Sequence, residues 1–293
     1  MRYYTNVQMV GNDFLVRGYE DGKSFTTREK YNPTLFVPSK KRTKYKTLDG
    51  KYVQSVKPGS VRDCREFYRT HGEVKGFEIF GNNRYIYQYI SDKYPEKEIT
   101  FDINKIKLVT IDIEVKSEKG FPTVQACDEE MLCITLQDYA TKRILTFGVG
   151  PYHHNDPMVK YVQCNDEYDM LQHFITYWSA NPPEVVTGWN CQLYDIAYLA
   201  KRITRVLGEK SCKKLSPWGL VTNEEIYLQG RAHTVYDIGG VTVLDYLDLY
   251  RKFTYKAQES YKLDYIGEVE LGQKKLDHSE FDTFKDFYSK AWN

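Results

Sequence analysis

From Val109 onward, the eight residues Leu108-Val109-Thr110-Ile111-Asp112-Ile113-Glu114-Val115 alternate strictly between aliphatic and polar side chains. Successive strand residues point to opposite faces, so Val109, Ile111, Ile113 and Val115 must meet a core while Thr110, Asp112 and Glu114 share the other face. A strand with one such face needs a second layer to cover it, and the downstream sequence supplies one. Residues 131–136 and 143–149 read as two further strands able to form a meander with the first. Asn165 then caps a helix with Asp166 and Glu167 in its first turn. Its Met170, Leu171, Phe174, Ile175 and Trp178 recur at helical spacing until Asn181-Pro182-Pro183 stops it. Residues 184–189 read as a short buried strand. It feeds a helix with Ile196, Leu199, Ala200, Ile203, Val206 and Leu207 inward, ending at Gly208.

The upstream part is organised differently. Residues 2–39 read as a β-meander of short strands broken at Gly11-Asn12 and Glu20-Asp21-Gly22. The basic run Lys40-Lys41-Arg42-Thr43-Lys44-Tyr45-Lys46 reads as a solvated loop in preference to a phosphate-facing patch. Ser60 caps a helix carrying Cys64, Phe67 and Tyr68, and residues 77–79 and 85–89 read as strands. The segment 91–105, with Pro95 and alternating charges, is the expected boundary between a small β-rich domain, 1–106, and a second domain, 107–293. A strand meander followed by helix, strand and helix is the order of an α/β fold of the RNase H-like type, so the fold class expected is mixed α/β.

Composition limits the function classes. The chain has 293 residues, of which 41% are hydrophobic and 28% charged, a globular balance that excludes a disordered or collagen-like chain. No apolar run approaches the ~18 residues needed to span a bilayer, and the opening residues lack a signal peptide's apolar core, so a soluble chain in a reducing cytoplasm is expected. With 41 Lys and Arg against 40 Asp and Glu, any nucleic-acid site must come from local charge. Tyrosine both packs and stacks on bases, so the 26 tyrosines point only slightly toward nucleic acid. The six cysteines include no C-x-x-C pair and no zinc-knuckle spacing, and His153-His154 reads as a polar loop.

Two acids side by side on a core-like strand repel and lose hydration unless a cation or donors neutralise them, and hard divalent ions such as Mg²⁺ choose such oxygen ligands. Asp-x-Glu alone also fits a strand-end salt bridge. A second element adds to it. The stretch Thr187-Gly188-Trp189-Asn190-Cys191-Gln192-Leu193-Tyr194-Asp195 leaves a buried strand through a glycine-containing turn and sets Asp195 in the first turn of a helix. Helix polarity accounts for Asp195 and turn preference for Asn190. Neither explains why one short stretch supplies an acid, an amide and an aromatic ring beside a neighbour of Asp112.

Asp112-Ile113-Glu114 resembles the first 3′→5′ exonuclease motif of family B DNA polymerases, and Asn190-x-x-x-Tyr194-Asp195 resembles the second. Flanking stretches look like the polymerases of T-even-type tailed phages: Gly120-Phe121-Pro122, Lys214-Leu215-Ser216-Pro217, Val243-Leu244-Asp245-Tyr246-Leu247-Asp248-Leu249-Tyr250 and Ser260-Tyr261-Lys262-Leu263-Asp264-Tyr265. The resemblance covers nearly the whole chain. It implies a proofreading exonuclease domain in which two divalent ions, Mg²⁺ or Mn²⁺, grip the scissile phosphate of a 3′-terminal nucleotide. Asp112 would bridge both ions, Glu114 would bind the one that activates water, and Asp195 would hold the other. Phe121, by stacking, with Asn190 and Tyr194 would line the frayed primer end. Lys262 is a candidate to touch a phosphate or water, although a plain surface lysine is the default reading. The stretch from Ile226 to Ile238, turning at Gln229-Gly230-Arg231, resembles the family's strand-separating hairpin, with a plain surface hairpin the alternative. Implied partners are a single-stranded DNA 3′ end, primer-template DNA, a C-terminal polymerase portion and, through it, a sliding clamp, in the cytoplasm of an infected bacterial host.

The family's third motif, Tyr-x-x-x-Asp, is missing where it belongs, since Tyr261-Lys262-Leu263-Asp264 has only two intervening residues. Ser279 and Asp282 are expected to open a helix whose Phe281, Phe284, Tyr288 and Trp292 form an apolar stripe. The resemblance places the third acid a few residues beyond Asn293, and the polymerase palm, fingers and thumb are absent. The expectation is therefore a shortened chain or the first piece of a split polymerase, with the polymerase portion in cis or on a second chain. The rival reading is a non-catalytic fragment that docks that portion and binds DNA; a free-standing nuclease is the third.

Overall fold

The computed structural model describes residues 2–95, 100–118, 120–228, 230–275, 281 and 287. The chain divides into two compact units, Met1–Asp102 and Ile103–Asn293.

The first unit holds a three-stranded antiparallel sheet, β1 (Arg2–Val10), β2 (Asp13–Glu20) and β3 (Lys23–Lys30), in sequence order. The two-residue turns joining them place Gly11 and Gly22 at φ 62° and 80°, a region glycine enters without steric cost. A second sheet orders β4 (Leu35–Pro38), β6 (Tyr52–Val56) and β5 (Tyr45–Lys46) with β6 in the middle. Part of the basic run thus pairs as a short edge strand instead of forming loop throughout.

Helix α1 (Val61–His71) starts at a capping box in which the Ser60 hydroxyl accepts from the Asp63 amide and the Asp63 carboxylate accepts from the Ser60 amide. Residues 85–89 belong to helix α2 (Tyr85–Lys93), not to a strand. The alternation of Tyr85, Tyr87 and Tyr89 imitates a period of two. The burial follows a period of four instead: Tyr85 and Tyr89 are buried while Tyr87 is 56% exposed. Tyr89 stacks on Phe14 at 4.8 Å between ring centroids, and that packing decides for the helix. Residues 77–79 form no strand either; a single bridge joins Phe36 to Phe80.

The second unit is built on a six-stranded mixed sheet. Its strands are β7 (Leu108–Val115), β8 (Met131–Asp138), β9 (Ile144–Val149), β10 (Val159–Cys164), β11 (Val185–Gly188) and β14 (Thr242–Asp245), in the order β10-β9-β8-β7-β11-β14. Strands β7, β8 and β9 form the antiparallel meander, whereas β10 joins β9, β11 joins β7 and β14 joins β11 in parallel. Strand β10 has no counterpart in the sequence reading: as an edge strand with exposed Lys160 and Gln163 it lacks an apolar run.

Helices α3 (Glu167–Ala180) and α4 (Asp195–Leu207) cover one face of the sheet. Met170, Leu171 and Phe174 of α3 and Ile196, Leu199 and Ile203 of α4 join Val109, Ile111, Ile113 and Val115 in one core. The cap of α3 is Asp166, one residue later than expected. Asn165 instead donates its main-chain amide and its Nδ2 to the Asp169 carboxylate, at 2.9 and 3.0 Å. The rest of the unit comprises α5 (Glu209–Cys212), the hairpin β12 (Val221–Leu228) and β13 (Arg231–Ile238), α6 (Tyr246–Phe253) and α7 (Leu263–Leu271). The helix expected from Ser279 falls almost wholly outside the described residues. No helix among the described residues is long and apolar enough to cross a membrane.

Candidate active site

With the aliphatic face of β7 turned to α3 and α4, Thr110, Asp112 and Glu114 emerge on the opposite face. There Asp112 lies across from Thr135 and Glu114 across from Cys133 of β8. The third carboxylate arrives from another direction. Strand β11 runs parallel to β7 and ends at Gly188, and the chain turns sharply before starting α4 at Asp195. The turn needs close approach. A Cβ on Gly188 would lie 2.8 Å from the Ile111 carbonyl oxygen, and Asn190 sits at φ 62°, a region asparagine tolerates better than most residues.

The turn delivers Asp195, 6% exposed, onto β7. Its Oδ1 accepts a hydrogen bond of 3.2 Å from the backbone N–H of Ile113, the residue between Asp112 and Glu114. One carboxylate from a helix start is thereby locked against the strand that carries the other two.

The electrostatics follow from that crowding. Burial pushes the Asp195 carboxyl up to about 7, and the Asp112 charge adds to the effect. The Asp112 carboxyl is raised by loss of hydration and by Glu114; among the described residues Lys275 is the base whose charge reaches it, and its influence is the smaller. The Cys133 thiol is pushed up to about 12 by burial and by Glu114 and Asp112, and the Tyr194 hydroxyl is raised by burial and by Asp195 and Glu114. The surrounding weak acids thus register one concentration of negative charge. Clustered carboxylate oxygens in such a field are the donor set that hard divalent cations select, so the residues present fit a metal.

Aromatic side chains flank the acids. Tyr194, the residue before Asp195, packs its ring 5.5 Å from Phe121 and 5.8 Å from Tyr198. The Phe121 ring is 78% exposed. The loop that carries it is tied to α4: Lys201 donates to the Gln125 carbonyl, Arg202 to that of Cys127, and Arg205 to those of Ala126 and Cys127. Arg202 also forms a buried two-pronged ion pair with Glu167 of α3, at 2.6 and 2.7 Å.

Residues 79–266 match the family described as DNA polymerase family B, exonuclease domain. The chain belongs to this family. Among its relatives, the DNA-directed DNA polymerase of Enterobacteria phage T4 is 31% identical over 301 residues, and that of Escherichia phage RB69 is 30% identical over 302. Each alignment covers 94% of this chain and 33% of the relative. The DNA polymerase catalytic subunit of Psittacid herpesvirus 1 is 27% identical over 189 residues, covering 59% of this chain and 17% of the relative. The chain spans about a third of the length of the phage polymerases it matches.

The remaining residues singled out in this family B exonuclease domain are placed less directly. Asn190 shapes the turn. Lys262 is exposed at the start of α7, and its neighbour Tyr261 accepts a hydrogen bond of 3.1 Å through its carbonyl from Trp189 Nε1. That bond ties the Lys262 segment to the turn but not to the carboxylates. The hairpin is longer than expected, running from Val221 to Ile238 with Leu228 paired to Arg231, and Gln125 Nε2 donates to its Ala232 carbonyl at 3.0 Å.

Sequence reasoning missed the role of Asp245. This residue, 6% exposed, caps α6 and accepts three backbone N–H groups: Oδ1 from Asn190 and Leu247 at 2.9 and 3.0 Å, Oδ2 from Gln192 at 3.0 Å. It holds the turn that delivers Asp195. The available signal was a lone acid on the otherwise apolar strand Val243-Leu244-Asp245, next to a helix start.

Proposed function

We propose that this chain is the N-terminal and proofreading portion of a phage replicative DNA polymerase, with an N-terminal domain at 1–106 and an RNase H-like 3′→5′ exonuclease domain at 107–293. The single observation that carries the reading is the Asp195 bond to the Ile113 amide, which sets a carboxylate from a distant segment against the strand residue between Asp112 and Glu114. Asp112, Glu114 and Asp195 would hold two divalent ions, Mg²⁺ or Mn²⁺. When bound, such ions activate water and neutralise the charge that develops on the scissile phosphate of a 3′-terminal nucleotide.

The chain's own residues do the rest. Asp195, almost excluded from water and pinned by the Ile113 amide, gives a fixed oxygen rather than a mobile one, which is how positioned ligands lower the cost of assembling a charged site. Phe121 and Tyr194 offer ring faces on which a splayed terminal base stacks irrespective of its identity, as editing of any mispair requires. Asn190 lines the same edge, Lys262 approaches the DNA backbone or a water, and the hairpin β12–β13 divides the frayed primer from its template. The substrate is a single-stranded 3′ end presented from primer-template DNA. A C-terminal polymerase portion, in cis or on a second chain, completes the acid set and links the assembly to a sliding clamp.

The test is shortening of 5′-labelled single-stranded DNA from its 3′ end by this chain together with the polymerase portion. Cleavage is expected with Mg²⁺ or Mn²⁺ and is lost with EDTA and in Asp112→Ala. Equal inertness of wild type and variant would reject the assignment, and metal-independent DNA binding without cleavage would favour the docking fragment.

A further inference from the structure

A second group of metal-ligating side chains lies away from the acid cluster, where edge strand β10 meets α3. Cys164 ends β10 and is 3% exposed. Asp169 and His173 stand one turn apart on α3, with side chains 28% and 53% exposed. One ligand atom from each of the three lies within 4.8 Å of the others, and His173 Nδ1 is 3.0 Å from Asp169 Oδ1.

We propose that Cys164, Asp169 and His173 bind a borderline, thiophilic divalent ion of the Zn²⁺ class. Thiolate, imidazole and carboxylate together suit such an ion, whereas Mg²⁺ takes oxygen alone. Zinc bonds of about 2.0–2.3 Å set tetrahedral ligand atoms roughly 3.5 Å apart, so binding draws the three groups closer, with His173 Nδ1, 2.9 Å from the Asp169 main-chain carbonyl, or its Nε2 as the ring ligand. Supporting hydrogen bonds are in place: Asn165 donates twice to Asp169 Oδ2, leaving Oδ1 toward His173. Such outer contacts orient ligands and sharpen affinity. The exposed side of His173 leaves a fourth position for water. A thiolate, a carboxylate and an imidazole bind the ion in their deprotonated forms, so binding releases protons. The ion would staple the edge strand to the helix that covers the sheet. Its ligands fit no C-x-x-C pattern because one is a carboxylate and the spacing spans a strand end and two helical turns.

The experiment is Co²⁺ titration of the metal-stripped chain with Mg²⁺ in excess to occupy the acid cluster. A sulfur-to-cobalt charge-transfer band that Zn²⁺ abolishes is expected in wild type, and its loss in Cys164→Ser and in His173→Ala. Asn165→Ala should weaken Co²⁺ binding by about 10–100-fold. His173 is exposed enough for its variant to fold, which keeps the test decisive if Cys164→Ser does not. Absence of the band in wild type, or its survival in His173→Ala, overturns the proposal, and neither outcome touches the assignment of Asp112, Glu114 and Asp195.

Discussion

Replacing Asp195 by asparagine in the metal-free chain isolates the strain that the acid cluster stores. The variant keeps an oxygen for the Ile113 amide, so the change removes charge with little change of shape. In the folded chain the carboxyl titrates at about 7 against an ordinary 3.8. A difference of that size corresponds to about 4 kcal/mol of folding free energy. The unfolded chain releases this proton near pH 4 and the folded one near pH 7, so between them the folded state holds more protons and stability falls as pH rises. The penalty is complete above pH 7 and absent below pH 4. Urea unfolding in EDTA should therefore find Asp195→Asn more stable than wild type by up to about 4 kcal/mol at pH 8, and the curves should converge at pH 4. Adding Mn²⁺ at pH 8 should then raise wild type and leave the variant nearly unchanged, because a ligand that binds only the folded state stabilises it by mass action. Parallel pH profiles for the two proteins would refute the claim that Asp195 is held in a crowded anionic site.

Two further outcomes follow from the same geometry. Asp245→Asn turns an amide donor toward N–H groups that now point at carboxylate oxygens, and should cost about 2–3 kcal/mol, since bonds to charged groups contribute roughly 1.5–3 each. Because its bonds to the Asn190 and Gln192 amides hold the turn that delivers Asp195, the variant should also weaken Mn²⁺ binding in calorimetry, an effect a remote destabilisation would not produce. Phe121→Ala should leave the urea midpoint unchanged, as the ring is largely exposed. It should lower affinity for a single-stranded 3′ end by about 1–3 kcal/mol in a fluorescence binding assay.

Elements whose burial follows a simple period could be read from the sequence. Strand β7 alternates without error, α3 buries the positions that helical spacing marks, and α4 does so up to Ile203, with Val206 and Leu207 half-buried. Failures arose where tertiary context overrode the local pattern. The tyrosines at 85–89 alternate like a strand, yet contact with Phe14 makes them helical. Edge strand β10 is set by its pairing with β9 and not by apolar content. At the site, the carboxylates were legible because acids on a core-like strand and at a helix start are costly without a purpose. Asp245 was not, because its significance lies in three amides contributed by residues 2 to 55 positions away, which no local spacing encodes.

Helix α4 is a measuring rod. Asp195 is its first residue, and Lys201, Arg202 and Arg205 near its far end grasp the carbonyls of the loop that carries Phe121. Within this rod a single insertion after the acid would swing every downstream grip by about 100°, detaching the stacking ring's loop while leaving the carboxylates where they stand. Tolerance to length change should therefore be lowest in thirteen residues of which just one is proposed to touch metal.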